Sequence, residues 1–170
     1  VKLLATTGSQ LTKTAYDRLG RPVAQYTLAK VDTPSYTTAS TVANDIVLEE
    51  SGTVYDNRSG TATGLVLARY TAQRHQSVLA TVLGSPMTSA AAGSITPNTA
   101  NGRVQVSATW YDILNRPVDQ VNRGTDVGSS GTYARYSDTT LASVTARGTN
   151  VQRQTTEYDR FGRVFKSFDS

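Results

Sequence analysis

The clearest alternation of apolar and polar positions runs over residues 103–111. Val104, Val106, Ala108 and Trp110 share one side of an extended chain, and Arg103, Gln105, Ser107, Thr109 and Tyr111 share the other. Successive side chains of a strand point to opposite faces, so this pattern predicts a strand with one apolar face. Weaker versions predict a hairpin over residues 11–29 and a second that opens at 46–50 and returns through 64–70. A further strand is expected over 77–83. Residues 30–40 read as a connecting loop; a short helical turn after Pro34 is opposed by β-branched threonines, which are poor helix formers. Polar sides recur at Thr12, Thr14 and Tyr16 and at Gln152, Gln154, Thr156 and Tyr158. A compact sandwich needs a strongly apolar inner face on every strand. Polar sides that end in tyrosine fit a wall that is wetted on one side or both.

The strands are punctuated by a recurring turn. Tyr16-Asp17-Arg18-Leu19-Gly20-Arg21 returns as Tyr111-Asp112-Ile113-Leu114-Asn115-Arg116 and as Tyr158-Asp159-Arg160-Phe161-Gly162-Arg163. A degenerate copy opens at Tyr55-Asp56, and its glycines come late, at Gly60 and Gly64, which predicts a longer loop over 55–64. The carboxylate of an aspartate at the first turn position can accept backbone N–H bonds two residues on. Gly20, Asn115 and Gly162 are the residue types that enter the left-handed region most cheaply. A type I turn followed by one left-handed bulge residue requires that conformation. We therefore expect positive φ at all three. Each aspartate also lies four residues before an arginine, which suits a local ion pair. The alternative partner for that arginine is the tyrosine of the next repeat.

Tyr-Asp-x-x-Gly-Arg resembles the signature of the YD repeats of Rhs proteins, of insecticidal toxin complex shells and of teneurins. The copies at 16–21 and 158–163 match fully, and the copy at 111–116 departs only in having Asn115 for glycine. The resemblance implies an all-β fold, an array of long antiparallel hairpins that coil as a YD-repeat β-solenoid or curved shell wall. It also implies that the chain is a segment of a larger protein, whose shell can surround a toxic polypeptide. In such an array Tyr16, Asp17, Gly20, Arg21, Tyr55, Asp56, Tyr111, Asp112, Asn115, Arg116, Tyr158, Asp159, Gly162 and Arg163 serve as a structural motif. Some members of the family carry an autoproteolytic aspartyl site, and no stretch of this sequence matches it. A second echo, residues 67–71 against 133–137, suggests a unit of roughly 40–55 residues, within the range of array architectures.

Composition narrows the chemistry. The 170 residues include no cysteine and one histidine, His75, which stands beside Arg74 and reads as a surface side chain. No cluster of histidine and carboxylates suggests a metal site, and no glycine-rich loop precedes a helix to cradle phosphate. Glu49 and Glu50 are neighbours on a strand and point to opposite faces, so they do not form an acid–base pair. We expect no catalytic residue, no cofactor and no enzyme. No apolar run approaches membrane-spanning length. The net charge is +4, yet the arginines are spread over turns that also carry aspartates. Nucleic-acid binding would need them gathered on one face. Asn57-Arg58-Ser59 fits a glycosylation acceptor pattern that arises readily by chance. Residues 84–102 are small, uncharged and broken by Pro and Gly, and we expect a mobile insertion there.

Two functions remain. The first is a non-catalytic repeat segment that builds a β-shell or an extended secreted or cell-surface body, in a bacterial setting, with flanking repeats of the parent chain or an enclosed polypeptide as partners. The second is an adhesion module whose exposed Tyr and Arg rows bind surface glycans. Open strand ends around residues 1–7 and 164–170 lead us to expect self-association of the isolated segment, since unpaired edges recruit other chains.

Overall fold

A computed structural model describes residues 3–7, 10–30, 38–58, 61–76, 83–91, 94–97, 101–122, 124, 133–134 and 152–169. The chain is all-β. One sheet contains β1 (Leu3–Thr7), β2 (Gln10–Tyr16), β3 (Pro22–Lys30), β4 (Ile46–Arg58) and β5 (Thr61–Arg74). It continues through β8 (Gly102–Tyr111), β9 (Pro117–Asn122), β11 (Gln152–Tyr158) and β12 (Val164–Asp169). Neighbours in this nine-stranded sheet follow chain order and every pairing is antiparallel. A three-stranded sheet holds β6 (Met87–Ala91), β7 (Ser94–Pro97) and β10 (Tyr133–Ala134). The described residues contain no α-helix, only a short 3-10 turn at Thr38–Ser40. No helix among them is long and apolar enough to cross a membrane.

The alternation over 103–111 is realised in β8. Val104, Val106 and Trp110 are buried, whereas Arg103, Gln105 and Ser107 are exposed. Pairing carries that apolar face across the sheet, because Ala72 lies opposite Val104, Tyr70 opposite Val106 and Val121 opposite Ala108. These residues, with Val54, Leu67, Ala68 and Met87, make one hydrophobic cluster. The reverse face of the sheet is the polar one.

Residues 84–102, expected to be a mobile insertion, include regular strands. They contain the strands β6 and β7, and Gly102 already belongs to β8. Pro86 and Met87 are buried and Met87 joins the core, so two apolar side chains in a small-residue stretch suffice to seat a hairpin. Gly84 is tied to the main sheet through its N–H to the Asp45 carbonyl at 2.8 Å and through its own carbonyl, which accepts from Arg74. Of the echo between 67–71 and 133–137, residues 135–137 lie outside the described residues, and the two described ones are placed differently from their counterparts. Residues 67–71 lie in β5, whereas Tyr133 and Ala134 pair with Ile95 and Ser94 in the small sheet. Hydrophobic likeness alone does not fix which sheet a strand joins. Of the strand expected over 77–83, residues 77–82 lie outside the described residues, and Leu83 is exposed and belongs to no strand.

The apolar face also carries charges, each closed by a partner. Lys13 donates to Asp45 at 2.6 Å and to the carbonyls of Thr38 and Thr41, both at 2.9 Å. Both side chains of that pair are almost wholly buried. The lysine thereby pins residues 38–45, which lead into β4, onto the sheet. Glu50 accepts from the Tyr70 hydroxyl at 2.8 Å and from Ser85. Asp119 accepts two bonds from Arg153, at 2.7 and 3.0 Å, and one from Thr155 at 2.6 Å. Breaking one member of such a pair leaves an uncompensated buried charge, which costs about 3–5 kcal/mol. Burial, reinforced by the Glu50 carboxylate, pushes the Tyr26 phenol up to about 12.

Two predictions follow from this packing. Gly52 lies opposite Tyr70, and a Cβ added to it would fall 2.1 Å from the phenol carbon Cζ. The ring is held by Glu50 and cannot swing away, so Gly52→Ala should destabilise by about 2 kcal/mol, within the range of overpacked cores; urea denaturation measures it. Tyr26 holds its proton more tightly folded than unfolded. Its share of stability is therefore complete below pH 10, the ordinary tyrosine value, and is lost as pH rises through about 12. The unfolding midpoint of Tyr26→Phe should fall less steeply than that of the parent across this window.

Candidate functional site

The three complete motif copies fold into one turn. In the first, Gly20 N–H donates to the Asp17 carbonyl at 3.1 Å and Asp17 N–H to the Arg21 carbonyl at 2.9 Å. The copies at 112–116 and 159–163 repeat both bonds. Gly20, Asn115 and Gly162 have φ of 77°, 63° and 81°, the left-handed values that the alternation of glycine and asparagine predicts. This is a three-residue hairpin loop, a tight turn completed by a left-handed bulge residue.

The aspartate organises each loop. Asp17 Oδ1 accepts the N–H groups of Leu19 and Arg21, both at 2.9 Å, and Oδ2 accepts Arg21 Nε at 2.7 Å. Asp112 and Asp159 hold Leu114 and Arg116, and Phe161 and Arg163, in the same way. The Arg21 and Arg163 N–H bonds are the main reason that Asp17 and Asp159 are held below the usual carboxylate range. At Asp112 partial burial opposes the shift, and the bonds from Arg116 and Leu114 outweigh it.

The arginine then reaches the next copy. The Arg21 guanidinium lies 4.0 Å from the ring centre of Tyr55, and that of Arg116 lies 4.3 Å from the ring centre of Tyr158. The same tyrosines donate their hydroxyls to the backbone just past the arginine: Tyr55 to the Pro22 carbonyl at 3.2 Å, Tyr158 to the Pro117 carbonyl at 2.8 Å. Each arginine thus makes both contacts that the sequence offers as alternatives, the local ion pair and the stack on the following repeat. Each of these tyrosines is held by its face and its hydroxyl across the junction between two hairpins.

The degenerate copy keeps half of this clamp. Tyr55 pairs with Val66 as Tyr16 pairs with Pro22, Tyr111 with Pro117 and Tyr158 with Val164. That register sets Gly64, with φ of 78°, at the left-handed position and Leu65 where the other copies have arginine. Tyr111 still donates its hydroxyl to the Val66 carbonyl at 3.0 Å. The extra residues continue the hairpin outward, since Asn57 pairs with Ala62 and Arg58 with Thr61. Thr63 replaces the missing arginine near Asp56, bonding its carbonyl and carboxylate at 3.3 and 3.4 Å.

The motif residues are therefore brought together in consecutive pairs along one rim of the sheet. Sequence reasoning missed the proline carbonyls that complete the clamp, although Arg-Pro-Val occurs after both turns concerned. It also missed the Asp119–Arg153–Thr155 bridge between β9 and β11, because no local spacing announces a contact between residues 34 and 36 apart. Among the described residues, one hollow of about 580 Å³ lies beside Ser107, Gln120 and Gln154, and another of about 320 Å³ beside Gln25, Ser51 and Thr71. No motif tyrosine lines either of them. Among the described residues no group of three or more His, Asp or Glu is placed to hold a metal ion. No family model matches the chain, and no curated protein matches it significantly.

Two outcomes are expected from this geometry. Gly162→Val should destabilise by more than about 1 kcal/mol, the scale of left-handed strain in a bulky residue. Asn115→Gly, at the same turn position, should be neutral or mildly stabilising. Chemical denaturation of both variants is the check. A double-mutant cycle on Arg116 and Tyr158 should give a coupling of about 0.5–2 kcal/mol, as for a stacked cation. The same cycle on Arg116 and Tyr111, a tyrosine outside that stack, supplies the baseline.

Proposed function

We propose that this chain is a non-catalytic length of β-wall built from YD-type repeats, whose task is to extend a shell or an elongated secreted or cell-surface body. The observation that carries this reading is the repeated clamp from Arg21 to Tyr55 and from Arg116 to Tyr158. Each motif closes its own hairpin and grips the next one, which is what lateral addition of repeats needs. A polar face opposite the buried one suits a wall that borders an aqueous interior. The partners on this reading are neighbouring repeats of the same parent chain and, where the wall closes, an enclosed polypeptide.

The adhesion reading rests on the exposed polar face and its two hollows. It requires open aromatic faces for stacking against sugar rings. Tyr55 and Tyr158 have one face under a guanidinium and their hydroxyls engaged, which favours the wall. A glycan array with the purified chain separates the two, together with proteolysis of the full-length protein that contains it. The wall reading expects no saturable glycan binding and a protease-protected interior or elongated particle by electron microscopy. Saturable glycan binding that is lost in Tyr158→Ala would overturn it in favour of adhesion.

A further inference from the structure

Several buried groups converge on one peptide bond, that between Gly84 and Ser85. The Gly84 N–H donates to the Asp45 carbonyl at 2.8 Å, and the Gly84 carbonyl oxygen accepts from Nη2 of the buried Arg74. Nε of the same guanidinium donates to the Val47 carbonyl, which fixes its plane. The Ser85 hydroxyl donates to Oε2 of Glu50, a residue only 2% exposed, and accepts the Met87 N–H at 2.8 Å. Oε1 of that carboxylate accepts from Tyr70 at 2.8 Å. Gly84 is buried with φ of 86°, whereas Ser85 is half-buried and so open to water on one side. A hydroxyl, a base bonded to it and a cation on the carbonyl oxygen are the groups that acyl transfer uses. Anchoring this segment would need only one of these bonds.

We propose that the chain cleaves itself once between Gly84 and Ser85, with Ser85 as nucleophile, Glu50 as general base and Arg74 as the group that stabilises the oxyanion. Glu50 takes the Ser85 hydroxyl proton as Oγ attacks the Gly84 carbonyl carbon, which carries no side chain beside it to obstruct the approach. Negative charge gathers on the carbonyl oxygen, where the Arg74 guanidinium already sits. Glu50 then returns the proton to the Ser85 nitrogen as the carbon–nitrogen bond breaks. The result is an ester between Gly84 and Ser85 Oγ, with a free amine on Ser85. Water adds across that ester, so Gly84 ends as a carboxylic acid, ionised at neutral pH, and the Ser85 hydroxyl is restored. The new carboxylate meets the guanidinium that held its carbonyl. The two products, residues 1–84 and 85–170, stay joined through the pairing of β5 with β8 and through Met87 in the core. This inference goes beyond the wall reading and does not depend on it. A single self-cleavage leaves no turnover activity, and the sheet keeps its strand order.

The test follows the folded 170-residue chain at neutral pH by intact mass and N-terminal sequencing. Expected are two products, the second beginning at Ser85, that elute together in native gel filtration and separate in denaturant. Hydroxylamine, which attacks esters, should speed the scission and leave a hydroxamate on Gly84. Ser85→Ala should abolish both. Ser85→Cys keeps a nucleophile and should still be cut, faster when a thiol is added. Glu50→Gln should slow scission about a hundredfold, within the range of general acid–base contributions. Arg74→Gln should slow it by a similar factor, as for the loss of one oxyanion donor. Rates are compared at a folded fraction matched by circular dichroism, and where the two buried variants fail to fold, the parent chain, Ser85→Ala and Ser85→Cys decide the matter. A folded parent chain that stays intact in hydroxylamine overturns the proposal. So does scission that survives Ser85→Ala or falls at another bond. Neither result bears on the Arg116–Tyr158 coupling, on which the wall reading stands.

Discussion

A single carboxylate sets the geometry of each junction. Asp17, Asp112 and Asp159 each spend one oxygen on two backbone N–H groups of their own turn and the other on an arginine Nε. An exposed ion pair of this kind contributes only about 0.2–1 kcal/mol by itself. Its consequence is positional. The arginine is left with few rotamers, and its planar face is presented to the neighbouring hairpin before that hairpin arrives. Stacking therefore costs little further side-chain entropy, and an otherwise weak contact becomes specific in register.

Register is the quantity the clamp controls. A one-residue slip between β9 and β11 would turn every side chain of β11 to the other face. Val121 would no longer lie opposite Arg153, and Asp119 would lose Arg153 and Thr155. The Tyr158 hydroxyl on the Pro117 carbonyl and the Arg116 stack fix that register at the rim, while the Asp119 bridge fixes it mid-strand. Two anchors on one pair of strands suit a sheet whose other face is polar and supplies no hydrophobic penalty for slipping.

The buried face follows a different logic. Lys13–Asp45 and the Glu50 cluster stand where a simple sheet would place aliphatic side chains. Both serve connections that leave the meander. Lys13 ties down residues 38–45 ahead of β4, and Glu50 ties down Ser85 just ahead of β6. Apolar contacts are indifferent to direction, whereas a lysine with three acceptors accepts a loop in one position only. Charge on this face thus locates the excursions from the sheet, and the aliphatic cluster supplies the burial.

The sequence by itself determined the turns and the faces. Turn geometry depends on four or five consecutive residues, so Asp17 with Gly20, Asp112 with Asn115 and Asp159 with Gly162 announce their hairpins locally. The alternation of Val104, Val106 and Trp110 names the buried side for the same reason, since strand periodicity is a property of the backbone. Only the tertiary structure decided which strand neighbours which. It set Tyr55 under Arg21 and Tyr158 under Arg116, made Gly64-Leu65-Val66 the counterpart of a Gly-Arg-Pro turn, and sent Tyr133 and Ala134 to the small sheet rather than the large one. Such contacts join residues tens of positions apart, and local spacing carries no record of them. They are chosen by the pairing of whole strands, in which backbone hydrogen bonds, burial and side-chain contacts on both faces must agree at once.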